Sequence, residues 1–165
     1  VNNRVLADEP KPPEVFRTRF FELCDLAITE LDKPIIPWSE KYRYNAVLDK
    51  HCICFFEDSY AIRGLCVAYD MTGEKKYLEY AERLADYYLK PGDFVPQRLR
   101  DHGCEIIGGL GLLLGVESEH NPDKAREYLP LMKTMLDSVL EKGVNEDGIM
   151  YDTGGKPGRL SDGWG

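Results

Sequence analysis

"SYAIRGLCVAYDMTGEKKYLEYAERLADYYL", Ser59 to Leu89, holds two different kinds of helix joined by one turn. Its first part, Ser59 to Tyr69, is apolar nearly all round with Arg63 as its sole charge, the pattern of a helix packed on most sides. "DMTGEKK" then turns the chain. From Glu74 to Leu89 the residues Tyr77, Ala81, Leu84 and Tyr88 share one face, while Glu79, Glu82, Arg83 and Asp86 face away. The stretch therefore reads as a hairpin of an inner helix followed by an outer helix with one wet side.

The same order recurs downstream. Cys104 to Val116, "CEIIGGLGLLLGV", is a second apolar helix, whose Gly108, Gly109 and Gly111 lower helix propensity but let neighbouring backbones approach. Asn121 and Pro122 are placed to cap the next helix, and Asp123 to Leu140 carries Tyr128, Met132, Met135, Leu136 and Val139 in a helical stripe. Aligning "IRGL" (Ile62 to Leu65) with "IGGL" (Ile107 to Leu110) gives a repeat of roughly 45 to 50 residues, within the range of helical arrays. Inner helices that are apolar all round favour a ring over a linear stack, because each then touches a neighbour on both sides.

Upstream, Glu14 to Leu31 places Phe16, Phe20, Leu23, Cys24, Ala27 and Leu31 at helical spacing, with Pro13 at its start and Pro34 and Pro37 beyond its end. Trp38 to Asp58 lacks clear periodicity and reads as a long ordered loop with room for one short helix. The expected organisation is an extended lead-in over residues 1–13 and one all-α domain over 14–165.

The hairpin Glu57 to Leu89, its "MTGEKKYLEYAERLADYYL" turn and outer helix, and the later "NEDGIMYDTG" resemble the six-hairpin glycosidase superfamily. That resemblance implies a toroid of antiparallel helical hairpins, an (α/α)6 barrel, and activity on carbohydrate. The superfamily spans glycoside hydrolases, unsaturated-uronyl hydrolases, polysaccharide lyases and sugar epimerases. At about 50 residues per hairpin a closed ring needs about 300 residues, so the chain supplies about two and a half hairpins. The expectation is of a partial barrel completed by the remainder of a longer chain or by a homo-oligomer. Standing alone, such a half-ring would expose its apolar inner face.

Composition narrows the classes of partner. The 165 residues suffice for one domain with a real core, and 43% hydrophobic with 30% charged residues is ordinary globular material. A formal net charge of -8 argues against a nucleic-acid binder, whose affinity rests on a Lys/Arg surface. No apolar stretch reaches membrane-spanning length. The 5 cysteines, an odd number without disulfide spacing, read as reduced and mostly buried thiols. They favour a cytoplasmic setting, with secretion left open because the amino terminus could have been processed.

In a ring of hairpins the connections from each outer helix to the next inner helix lie together at one end, and the tight hairpin turns lie at the other. The first class comprises Trp38 to Asp58, Lys90 to Gly103 and Gly143 to Gly165. These hold both tryptophans together with aromatics, arginines and carboxylates, the residue types that bind sugar faces and hydroxyls. Candidate substrate-binding residues are Trp38, Tyr44, Glu57, Arg98, Arg100, Asp152, Asp162 and Trp164. Glycoside hydrolysis needs two carboxyl groups across the scissile bond, and Asp58 with Asp101 is the favoured pair, His102 being the third catalytic candidate. A helix-capping role competes for each single carboxylate.

Two other functions stay open. A lyase would use His102 or Tyr44 to remove a proton beside a uronate carboxylate held by Arg98 and Arg100. A non-catalytic helical scaffold would bind along its concave face. "HCIC" (His51, Cys52, Cys54) and "HGC" (His102, Cys104) lack the usual zinc-ligand spacing, so neither a metal nor a cofactor is expected. Arg63, inside an apolar helix, calls for a partner, and Glu105 on the neighbouring inner helix is the best placed. Tyr77, Tyr80, Tyr87 and Tyr88 read as interhelix packing, and Asp147-Gly148 as a turn.

Overall fold

The computed structural model describes residues 13–31, 51–92, 94–96, 99, 103–152 and 157–161, with the backbone alone for 30, 31, 51–59 and 104. Within these it contains helices α1 (Glu14–Leu31), α2 (His51–Thr72), α3 (Lys75–Leu89), α4 (Gly103–His120) and α5 (Pro122–Lys142). The described residues form no β-strand beyond two isolated antiparallel bridges, Val144 with Met150 and Tyr151 with Leu160. The chain is all-α, as its periodicities require.

The helices make two layers. α2 packs most extensively on α4, α3 folds back on α2, and α5 folds back on α4. On the other side of α2 and α4, α3 touches both α1 and α5, so α1, α3 and α5 form an outer row behind an inner pair. Two contacts fix the inner helices as parallel: Arg63 reaches Glu105 at 3.4 Å near the start of α4, and His120 lies 3.9 Å from Asp70 where both helices end.

The core lies between the layers. Ile62, Leu65 and Ala68 of α2 meet Ile106, Leu110 and Leu113 of α4, closed from outside by Tyr77, Leu84 and Tyr88 of α3 and by Tyr128, Met132 and Met135 of α5. Tyr77, Tyr80 and Tyr88 are buried and Tyr87 is at the surface, so three of the four tyrosines serve packing as expected. Apolar residues one turn apart along α3 put all of its burial on one side, which is why this helix can be read directly from sequence.

The tight turns are shorter than the sequence suggests. Gly73 and Glu74 alone separate α2 from α3; Gly73 has φ 72°, a left-handed conformation that glycine takes without strain, and its N–H donates to the Tyr69 carbonyl at 2.7 Å. Asn121 alone separates α4 from α5. Its side chain makes no capping hydrogen bond, contrary to expectation; its backbone does the work instead, N–H to the Glu117 carbonyl at 2.7 Å and carbonyl from the Ala125 N–H at 3.1 Å, with Pro122 in the first turn.

Two boundaries depart most from the sequence reading. α2 begins at His51 rather than Ser59, so residues 51–58 are helical rather than loop. "HCICFFED" contains no glycine or proline to break a helix, and its continuous apolar character hid the period. α4 runs on through Glu117 to His120 instead of stopping at Val116, with the Ser118 hydroxyl donating to the Leu114 carbonyl at 2.7 Å.

Candidate functional site

Parallel inner helices and antiparallel hairpins place the amino ends of α2 and α4 with the carboxyl ends of α3 and α5. The connection between α3 and α4 and the segment after α5 therefore fall at one end of the layers. There the backbone joins them: the Leu99 N–H donates to the Asp152 carbonyl at 2.9 Å, and the Asp152 N–H donates to the Arg159 carbonyl at 2.8 Å. Leu99 is only 5% exposed, which anchors the connection between its two flanking arginines in sequence.

The segment after α5 is ordered by its own hydrogen bonds. The Asn145 carboxamide oxygen accepts the N–H groups of Asp147 and Ile149 at 3.0 and 2.8 Å, and Gly148 takes φ 79°, so the expected turn is present. The Tyr151 N–H then donates to the Gly143 carbonyl at 2.7 Å and the Ser161 N–H to the Met150 carbonyl at 2.8 Å. This small pleated flap carries half-buried Asp152.

Of the candidate residues, Asp152 has its side chain among those described. Glu57 and Asp58 lie about two turns inside α2 rather than in a loop, with their side chains outside the described set. Trp38, Tyr44, Arg98, Arg100, Asp101, His102, Asp162 and Trp164 lie outside the described residues. Among the described residues no group of three or more His, Cys, Asp and Glu is placed to hold a metal ion, and no helix is long and apolar enough to cross a membrane. The side chains of His51, Cys52, Cys54, His102 and Cys104 are outside that set.

Arg63 pairs with Glu105, but it is not buried: its side chain is 51% exposed. The reason is a face of the inner layer that nothing among the described residues covers. Tyr60, Val67 and Met71 lie exposed along α2, and Gly108, Gly111 and Gly115 lie exposed along α4. A Cβ placed on any of these three glycines would meet no described atom within 4 Å. Beside this face, Phe20, Leu23, Tyr60 and Gly64 line an apolar cleft of about 430 Å³ between α1 and α2. A second cleft, of about 470 Å³ and lined in part by polar groups, lies between Phe94 and the Asp137–Lys142 end of α5.

Buried thiols behave as expected where they are described. Burial pushes the Cys24 thiol up to about 11 and the Cys66 thiol to about 12, leaving both protonated and unreactive at neutral pH.

The sequence reading missed the polar cluster at the tight-turn end. Glu117 has 0% exposure, and neither carboxyl oxygen meets a hydrogen-bond donor among the described residues. Burial first, then the neighbouring Glu82 carboxyl, raises Glu117 to about 8, opposed by the charge of Lys124. Nearby, the Tyr128 hydroxyl donates to Asp86 Oδ1 at 2.7 Å and to the Glu82 carbonyl at 3.1 Å. Burial alone would raise Asp86, but hydrogen bonds from Lys90 and Tyr128 and the charge of Lys124 hold it below its ordinary value. The signal was present: Ile106, Leu110, Leu113 and Glu117 fall at one helical spacing, so the stripe that buries the first three buries the fourth.

No family model, curated protein or solved structure matches the chain.

Proposed function

We propose that the chain forms part of an (α/α) barrel acting on carbohydrate, and that the end carrying the long connections hydrolyses a glycosidic bond. The observation that carries this reading is the grouping of those connections, tied by the bond from the Leu99 N–H to the Asp152 carbonyl. It brings Leu99, of the connection before α4, against Asp152, of the segment after α5, at the end of the layers where the amino ends of α2 and α4 lie. In this reading Asp58 and Asp101 supply the acid and the base or nucleophile, and His102 assists proton transfer. Trp38, Tyr44 and Trp164 stack on sugar faces, while Glu57, Arg98, Arg100, Asp152 and Asp162 bind hydroxyl or carboxylate groups. The exposed inner face is the wall that further hairpins, from more of the chain or from other copies, would continue.

The test is product analysis with neutral and uronate-containing oligosaccharides. New reducing ends without unsaturated products support hydrolysis. Unsaturated uronyl products replace it with elimination through His102 and Tyr44, and binding without turnover replaces it with a scaffold.

A further inference from the structure

The cleft beside the carboxyl end of α5 plays no part in that reading. Its volume of about 470 Å³ is that of a small-molecule site, and it lies at the end of the layers that carries the long connections. One wall comes from the connection after α3, where Gly92 takes φ 77° and turns the chain ahead of Phe94 and Val95. Phe94 is half-buried, and its ring centroid stands 4.9 Å from that of buried Tyr88, which braces it.

The other wall is α5. Thr134, Asp137, Ser138 and Glu141 fall three and four residues apart and so share one side of the helix, with buried Met135 beside them. The Thr134 hydroxyl donates to the Pro130 carbonyl at 2.9 Å, which leaves its oxygen as an acceptor. The half-buried Ser138 hydroxyl makes no hydrogen bond among the described residues, and the Glu141 carboxylate makes no ion pair there. Charge is balanced along this wall: Asp137 pairs with Lys133, and Lys142 lines the cleft with Glu141.

Apolar surface from Phe94, Val95 and Met135 therefore meets a row of oxygen acceptors with little net charge. A sugar ring has the matching chemistry, an apolar C–H face for the aromatic ring and hydroxyl donors for carboxylate and hydroxyl oxygens. A cationic amine would meet Lys142 and an Asp137 already paired, while a uronate would meet two carboxylates. We propose that this cleft is a second carbohydrate-binding site, specific for neutral sugar units, in which Phe94 carries the C–H face while Ser138 and Glu141 hold hydroxyls. Binding there needs no turnover, so it stands whether or not the chain hydrolyses a glycosidic bond.

The experiment follows backbone-amide NMR shifts of the isotope-labelled chain during titration with cellotetraose, maltotetraose, xylotetraose and mannotetraose, with trigalacturonate and spermidine as charged comparisons. Saturable shifts at Gly92, Ser138 and Glu141 with a neutral tetrasaccharide support the site, with affinity about tenfold above that for trigalacturonate. Ser138→Ala should weaken this binding about two- to tenfold, the worth of one hydrogen bond. Glu141→Gln should narrow the gap between neutral and uronate ligands. Alanine is a better helix former than serine, and the unliganded spectrum of each variant reads its fold directly. No saturable shift at the cleft with any neutral tetrasaccharide overturns the proposal, as does equal or tighter binding of trigalacturonate or spermidine, or binding unchanged in both variants. Shifts confined to the residues around Leu99 and Asp152 overturn it as well while leaving the hydrolytic reading in place, so the two fail separately.

Discussion

Replacing Gly108, Gly111 and Gly115 together by alanine tests whether the open face of α4 is open in solution. All three sit within α4 on one side of the helix, and an added methyl at each meets no described atom within 4 Å. Alanine in a helix interior is favoured over glycine by about 0.8–1.0 kcal/mol, chiefly because glycine loses more backbone freedom on folding. The three changes share no partner, so they add to about 2–3 kcal/mol. For a chain of this length that raises the melting temperature by roughly 4–12 °C at about 2–4 °C per kcal/mol. Thermal unfolding by circular dichroism, checked by the urea midpoint, reads the change. A triple variant no more stable than the parent would refute the reasoning, since it would mean that a backbone or ligand approaches α4 too closely for a methyl.

Leu113→Ala, at a position 1% exposed between the layers, should cost about 2–5 kcal/mol, measured as a lower urea midpoint with an unchanged slope. Tyr128→Phe removes the hydroxyl that bridges α5 to Asp86 and the Glu82 carbonyl and should cost about 1–2 kcal/mol in the same assay. Asp58→Asn and Asp101→Asn should each lower turnover by about two orders of magnitude or more while leaving the helical circular dichroism spectrum intact; full activity in both variants would remove them from the site.

The parts of this fold that sequence reveals are those where a helix has two unlike sides. α1 has the expected bounds and α3 differs from its expected start by one residue, because burial repeats along one face and glycine or proline marks the ends. α2 and α4 are apolar on several sides, so no stripe marks where they start or stop, and their true ends at His51 and His120 came from packing rather than from local pattern. Glu117 was missed for a related reason. In "ESEH" its letter looks like surface, and only its register with Ile106, Leu110 and Leu113 says otherwise. The candidate site was legible as topology alone, since alternate connections of a hairpin repeat fall at the same end whatever their sequence. The tie between the flap after α5 and the connection before α4 is a backbone bond between residues far apart in the chain, Leu99 with Asp152, and periodicity carries no trace of it.

The brevity of the turns at the Glu117 end divides the molecule into a side of fixed length and a free one. Asn121 alone, and the pair Gly73 and Glu74, bridge their helices with no slack, so an inserted residue there must unwind a helix end or shift one layer against the other. At the opposite end an insertion lengthens a surface connection, and each doubling of a loop costs only about 0.6 kcal/mol in closure entropy. Variation in length is thereby channelled to the side that carries the proposed site. Length changes there fall in the connection around Leu99 and the flap around Asp152 and leave the hairpin turns untouched.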